Sequence, residues 1–401
     1  MKYPILRTVA VALSLVLAAT AMAGEPKAQF EPLGFGDGHF WWTSAFDVSD
    51  DGRIVVGQGG RADTYELEAW RWVRGRGIEG LGDLPGWDGG SDYAFESRAD
   101  AVSGNGKVVI GQGMGYDGAE SFAWTQAHGM VGLGFLEGGS YSRAAGADRL
   151  GKVIVGTSGS FEGGRAYRWT RNLGMQSLGT LGGSIAESHG FDCSANGNVV
   201  VGLGFGPNGQ EAFRWTPAGG MEGLGHPEGA SKTIARAVSA DGSTIVGQGR
   251  FGTRGEALRW TQQTGWIGLG DLPGGNDISI ADGVSGDGAI VVGASETHNP
   301  YGMGDAFIWD EAHGMRLLQQ VLTEEYGLDL GGWTLERAYA ITPNGLCIVG
   351  DGTNPEGEHE AWLVRLPRKP AKSLPNWLPA KGNWQGAFGV LQRLWLQQRK
   401  K

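Results

Sequence analysis

The sequence predicts an all-β chain, a seven-bladed β-propeller of four-stranded antiparallel blades. Three observations carry that reading. One unit recurs seven times at a spacing near 45 residues. Six of the seven units turn on an Asp-Gly or Asn-Gly pair between apolar strands. The last unit lacks its closing strand, and a spare copy of that strand stands near the N-terminus.

The first unit reads "FDVSDDGRIVVGQG", "EAWRW" and "GIEGLG". The Gly closing each "VVG" run is Gly57, Gly111, Gly156, Gly202, Gly247, Gly293 or Gly350. Strand A runs into the Asp/Asn-Gly turn, and strand B, rich in Val and Ile, leaves it. Such two-residue hairpin turns call for positive φ at both central positions, which Asp, Asn and Gly tolerate. Strand C is the "EAWRW" segment, and strand D ends in Leu-Gly. The seventh unit stops after "EAWLVRL", while "FEPLG" at 30–34 supplies the missing Leu-Gly strand. The ring is therefore expected to close with an N-terminal strand as the outer strand of the last blade. An open solenoid would need no such strand.

Composition agrees. The 401 residues include 74 Gly and 16 Trp, and aromatics make up 10%. A disordered Gly-rich chain lacks such rings, and collagen needs Gly at every third position. Residues 1–23 have a basic head, an apolar run and Ala21-Met22-Ala23, the pattern of a secretory signal peptide. The propeller is expected over 24–367, secreted or periplasmic. Cys193 and Cys347 fall in units 4 and 7 and read as two buried thiols rather than a disulfide.

Residues 368–401 leave the repeat. They carry eight Lys/Arg and no acid, in a Pro-rich linker followed by Trp384, Phe388, Leu391 and Trp395 at helical spacing. Such a basic amphipathic helix can touch an anionic membrane, dock on the acidic body or fray. The body between leader and tail holds 23 basic against 43 acidic residues. That balance argues against a nucleic-acid partner. No other apolar run is long enough to span a membrane. A monomer is expected.

The unit "V-S-x-D-G-x-x-V-V-G … E-A-F-x-W … L-G" resembles the HAF-repeat family of extracellular bacterial proteins, over residues 30–366. The naming triplet stands here as Glu211-Ala212-Phe213 or Asp305-Ala306-Phe307. The resemblance implies a propeller and export, and no assigned reaction. The A–B hairpin also distantly resembles TolB-type propeller blades, and that resemblance implies partner binding rather than catalysis.

A residue present in every blade cannot mark a single site. Trp72, Trp124, Trp169, Trp215, Trp260 and Trp309 occupy one position and read as packing between blades. Glu68, Glu120, Glu211, Glu256, Asp305 and Glu360 likewise read as structural acceptors. Candidate residues lie where repetition fails, on the face shared by the B–C and D–A loops. Strand A lines the channel. Its position at Ala45, Ala99, Ala144, Gly190, Ala235, Ala281 and Ala338 is always small. The residue before it varies and includes Arg98, Arg143, His189 and Arg337, which could hold a carboxylate or sulfate. Pairing of each Arg with a neighbouring acid is the alternative. The residue after it includes Asp100 and Asp282. Trp41, Trp42 and Trp333, with Trp87, Tyr93 and Tyr141, are aromatic candidates for stacking on sugars or partner side chains.

There is no Walker loop, no G-x-S-x-G elbow and no His pair at zinc spacing. No cofactor is expected. "WDGGSD" at 87–92 carries oxygen donors of the kind calcium takes, although Asp in a Gly-rich turn is the ordinary alternative. The sequence thus favours an exported binding or scaffold protein of the cell envelope or extracellular space. A polysaccharide or an envelope protein is the expected ligand. The rival is a glycoside hydrolase or polysaccharide lyase on the same scaffold. That needs one non-repeated acid–base set, for which Asp100, Asp282 and His189 are the available pieces.

Overall fold

The repeat units fold blade by blade: the described residues form seven four-stranded antiparallel sheets. The structure, a computed structural model, describes residues 27–64, 66–85, 96–275, 277–296 and 304–367. The expected signal peptide, Trp87, Tyr93, the "WDGGSD" loop and the basic tail lie outside the described residues. In blade 1, strands A to D are Phe40–Val48, Ile54–Arg61, Leu67–Val73 and Gly77–Gly80. The sheet of blade 7 takes Thr334–Ile341, Cys347–Thr353 and His359–Arg365, and its outer strand is Gln29–Pro32. That strand pairs antiparallel, from Gln29 opposite Arg365 to Pro32 opposite Trp362.

The "VSxDG" motif is a hairpin closure. Ser49 Oγ donates to Asp51 Oδ1 at 2.8 Å and accepts the Ile54 N–H at 3.0 Å. The same hydroxyl–Asx bond joins Ser103 to Asn105, Ser194 to Asn196, Ser239 to Asp241, Ser285 to Asp287 and Thr342 to Asn344. The turn differs from the one expected. Only its Gly is left-handed, with φ 66° at Gly52, and the preceding Asp or Asn is not. The Gly52 N–H bonds the Ser49 carbonyl, so a type I turn leads into a left-handed Gly. The Asx side chain caps the turn but does not dictate it: blade 3 makes the same turn with Leu150 before Gly151 (φ 68°), so the Gly alone supplies the left-handed residue.

Blade stacking uses a second repeated hydroxyl. Thr43, Ser97, Ser142, Ser188, Thr233 and Ser279 each accept an N–H from strand C of the preceding blade. Each also donates to the carbonyl of the Gly two residues past the preceding outer strand. The repeated carboxylates are structural acceptors as well. Glu68, Glu120, Glu211, Glu256 and Glu360 accept the N–H of Gly82, Gly134, Gly225, Gly270 and Gly34.

The core repeats with them. Trp70, Phe122, Tyr167, Phe213, Leu258, Phe307 and Trp362 occupy one strand C position and are fully buried. The Trp72 series sits at blade junctions, where the Arg71 guanidinium lies 4.2 Å from the centre of the Trp124 ring. Packing, not sugar stacking, is its role. The loop after blade 6 contains a short helix, α1 (Leu318–Gln320), and a π-helical turn, Val321–Glu325. Cys193 and Cys347 are free buried thiols. No described helix is long and apolar enough to cross a membrane.

Candidate functional site

Each inner strand carries a β-bulge at the same place in all seven, and the inner strands of blades 1 and 7 have a second irregularity nearer their start. The register shifts between Ala45 and Asp47, Ala99 and Ala101, Ala144 and Gly146, and Gly190 and Asp192. It shifts likewise between Ala235 and Ala237, Ala281 and Gly283, and Ala338 and Ala340. The extra residue of a bulge escapes the ladder and can be re-aimed. Here those residues are Phe46, Asp100, Ala145, Phe191, Arg236, Asp282 and Tyr339, and all seven line the channel. The small residue before each is forced by packing. A Cβ on Gly111 would come within 1.8 Å of the Arg98 carbonyl, so the strand B glycine lets strand A approach.

On the B–C/D–A face the channel opens into a mouth of about 610 Å³. Trp42, Ser44, Arg98, Ile234 and Arg337 line it above the bulge ring. A smaller cavity of about 220 Å³ continues toward the A–B hairpins. The mouth has two Arg–Asp–Arg bridges. Arg143 holds Asp100 with two bonds, 2.9 and 2.6 Å, and the Arg98 Nε donates to the same carboxylate at 2.6 Å. Arg337 holds Asp282 with two bonds of 2.8 Å, and Arg236 Nη1 stands 3.5 Å from the same carboxylate. Rings join the bridges: Arg98 lies 3.8 Å over Phe46, Phe46 meets Tyr339 edge-on at 5.2 Å, and Arg337 lies 4.7 Å over Tyr339.

The sequence-based candidates separate accordingly. Arg98, Asp100, Asp282, Arg337 and Trp42 come together at the mouth. Arg143 joins them through Asp100. His189 does not line the mouth. It stands 4.0 Å from Glu187, and burial lowers its pKa despite that neighbour, so it is no cationic contact at neutral pH. Trp333 is not an exposed loop aromatic: it is 6% exposed and packs edge-on against Phe30 at 5.2 Å. Trp41 is 52% exposed and meets Trp42 at 6.1 Å. Among the described residues no hydrogen bond or ion pair joins Asp100, Asp282 and His189 to one another, and both oxygens of each aspartate are taken by arginine. They do not converge as an acid–base set.

A constellation not singled out in the sequence lies beside the mouth, in blade 7. His359 Nε2 is 3.0 Å from Ser44 Oγ and 3.3 Å from Asp351, and Nδ1 is 3.7 Å from Glu336. Burial opposes its charge, yet the two carboxylates outweigh that and push its pKa up to about 9. The imidazole is thus a cation at neutral pH and cannot take a proton from Ser44. Asp351 also shares the nitrogen that faces the hydroxyl, unlike the carboxylate of a hydrolytic triad. The signal was present in the repeat. Glu336 stands where six blades have Ser or Thr, and Asp351 where Gln58, Gln112 and Gln248 stand.

Deeper in the channel, Asp47 and Asp192 each accept two backbone N–H groups, one from the next blade at Val102 or Val238. Burial raises both carboxyls to about 7 against those bonds. Among the described residues no cluster of His, Cys, Asp or Glu is arranged to hold a metal ion.

No family model and no curated protein matches the chain. Solved structures do. An oligogalacturonate lyase from Vibrio parahaemolyticus is 12% identical, with a TM-score of 0.54 over 86% of this chain and 98% of that one. TolB from Acinetobacter baumannii is 15% identical, with a TM-score of 0.44 over 73% of this chain, which spans 64% of that protein. At these identities the likeness is one of fold.

Proposed function

We propose that the chain is an exported binding module of the HAF-repeat type, acting in the cell envelope or extracellular space. Its ligand is an acidic polysaccharide engaged at the channel mouth on the B–C/D–A face. One observation carries the reading. The mouth is large enough for a sugar unit, and it is walled by residues that do not repeat: four arginines against two aspartates, with Trp42, Phe46 and Tyr339 as flat surfaces. Arginine forks suit carboxylate and sulfate, and aromatic faces suit sugar rings. The carboxylates there are occupied by arginine and the histidine is held as a cation, so the mouth is better furnished for holding a ligand than for moving a proton.

The test is retention of the full chain on immobilised acidic and neutral polysaccharides, with released reducing and unsaturated ends measured in the same samples. Retention on acidic chains without release is expected. Arg98→Ala should weaken it several-fold, because Arg143 keeps Asp100 paired and the fold is spared. The fold neighbour that is an oligogalacturonate lyase makes the contrary result concrete: release of ends would overturn the reading in favour of an enzyme. No retention on any polysaccharide would leave a protein partner as the ligand.

A further inference from the structure

The two bridges at the mouth are not equivalent. In one, Arg98 and Arg143 both bond Asp100 at 2.6 to 2.9 Å. In the other, both Asp282 oxygens are claimed by the Arg337 fork, and Arg236 is left with a 3.5 Å approach to one of them. The Arg236 Nε is buried and has no hydrogen-bond partner among the described residues. Arg236, like the other bulge residues, lines both the mouth and the smaller cavity below, at their junction, the waist of the channel. A buried donor without an acceptor is costly, and a guanidinium whose carboxylate is already engaged is a standing site for another anion.

The position itself carries no structural demand. It is the bulge residue of strand A, and the other blades place Phe46, Asp100, Ala145, Phe191, Asp282 and Tyr339 there. A charged, under-paired arginine at a position that tolerates Ala or Phe is not explained by folding. The rings of Phe191, Phe46 and Tyr339 stand around the same waist and offer apolar faces to a flat body carrying that anion.

We infer that the channel waist is a carboxylate-binding site, with Arg236 as its principal contact and the aromatic bulge residues stacking the body of the acid. The inference rests on the reading of the mouth as a ligand site and names the chemistry it takes. The carboxylate can be that of a sugar acid entering from a polysaccharide or that of a free planar acid, and the probes separate the two sources.

Isothermal titration of the full chain with D-glucuronate, D-glucose and benzoate reads this directly. Binding of glucuronate, or of benzoate, without binding of glucose is expected. Arg236→Ala should weaken it at least ten-fold, and Arg236→Lys should weaken it less, because charge remains while the fork is lost. Arg236→Ala installs the residue that blade 3 carries at this position, and should it fail to fold, Arg236→Lys gives the answer alone. Absence of binding by both acids, or binding unchanged in both variants, would overturn the inference. Its failure is distinguishable from failure of the polysaccharide reading. Retention on acidic polysaccharide that survives Arg236→Ala and is lost in Arg98→Ala overturns only the waist site. Arg236-dependent binding of a small acid without retention on any polysaccharide overturns only the polysaccharide.

Discussion

Two rings of residues stand three positions apart on the same seven strands, and they differ in what the fold asks of them. The hairpin ring is Ser49, Ser103, Asp148, Ser194, Ser239, Ser285 and Thr342. Its oxygens close the A–B turns in every blade; Asp148 does so through its carboxylate, which accepts the Lys152 and Val153 N–H groups. The bulge ring holds Phe, Asp, Ala, Phe, Arg, Asp and Tyr. It makes no repeated bond, because the bulge lifts each side chain out of the ladder and into the channel. Constancy therefore follows from a shared hydrogen-bond duty, and variety marks the surface left free for a ligand.

Breaking the repeated scaffold should have the largest effect. Trp362 is fully buried and donates from Nε1 to the Asp351 carbonyl at 2.7 Å. Trp362→Ala should cost about 3–5 kcal/mol, read by denaturant unfolding. The comparison itself is sharpened one step down. Ser239→Ala removes a 2.7 Å bond to Asp241 and strands the buried Thr244 N–H, for a loss of about 1–3 kcal/mol. Arg236→Ala, three residues earlier, should stay within about 0.5 kcal/mol of the parent.

The blade 7 constellation gives a pH test. The His359 pKa is raised from 6.5 to about 9, so its stabilising contribution is complete below pH 6.5 and is lost as pH rises through 9. Melting temperature should fall across that window, and His359→Gln should abolish the fall while lowering stability at pH 7. A second pH effect, in a lower window, is expected from Asp47 and Asp192. Their carboxyls are raised from 3.8 to about 7, so the native state holds protons that the unfolded state has released, and stability should decline between those values and level off above. The Asp47→Asn/Asp192→Asn pair should flatten that decline.

The sequence made the blades legible because their signals are local. A hydroxyl two residues before an Asx-Gly recurs in six units, an aromatic core position in six, and an apolar β-branched strand in all seven. The site was legible only in part. The cationic ring was visible as a column of Arg98, Arg143, His189 and Arg337, but which arginine shares its aspartate depends on contacts between blades, such as Arg337 with Asp282, 55 residues apart. Trp333 looked like a loop aromatic, and its burial is decided by Phe30 from the other end of the chain. His359 was missed because it and its partners, Glu336 and Asp351, lie on three different strands, and only their joint departure from the repeat marks them.

The most direct measurement compares Arg236→Ala and Ser239→Ala side by side, recording melting temperature and retention on an acidic polysaccharide for each. The account predicts a crossing: Arg236→Ala keeps its stability and loses retention, while Ser239→Ala loses stability and, below its melting point, retains the ligand. Retention lost in Ser239→Ala but intact in Arg236→Ala would contradict it, since the repeated ring would then carry the ligand and the varied ring would not.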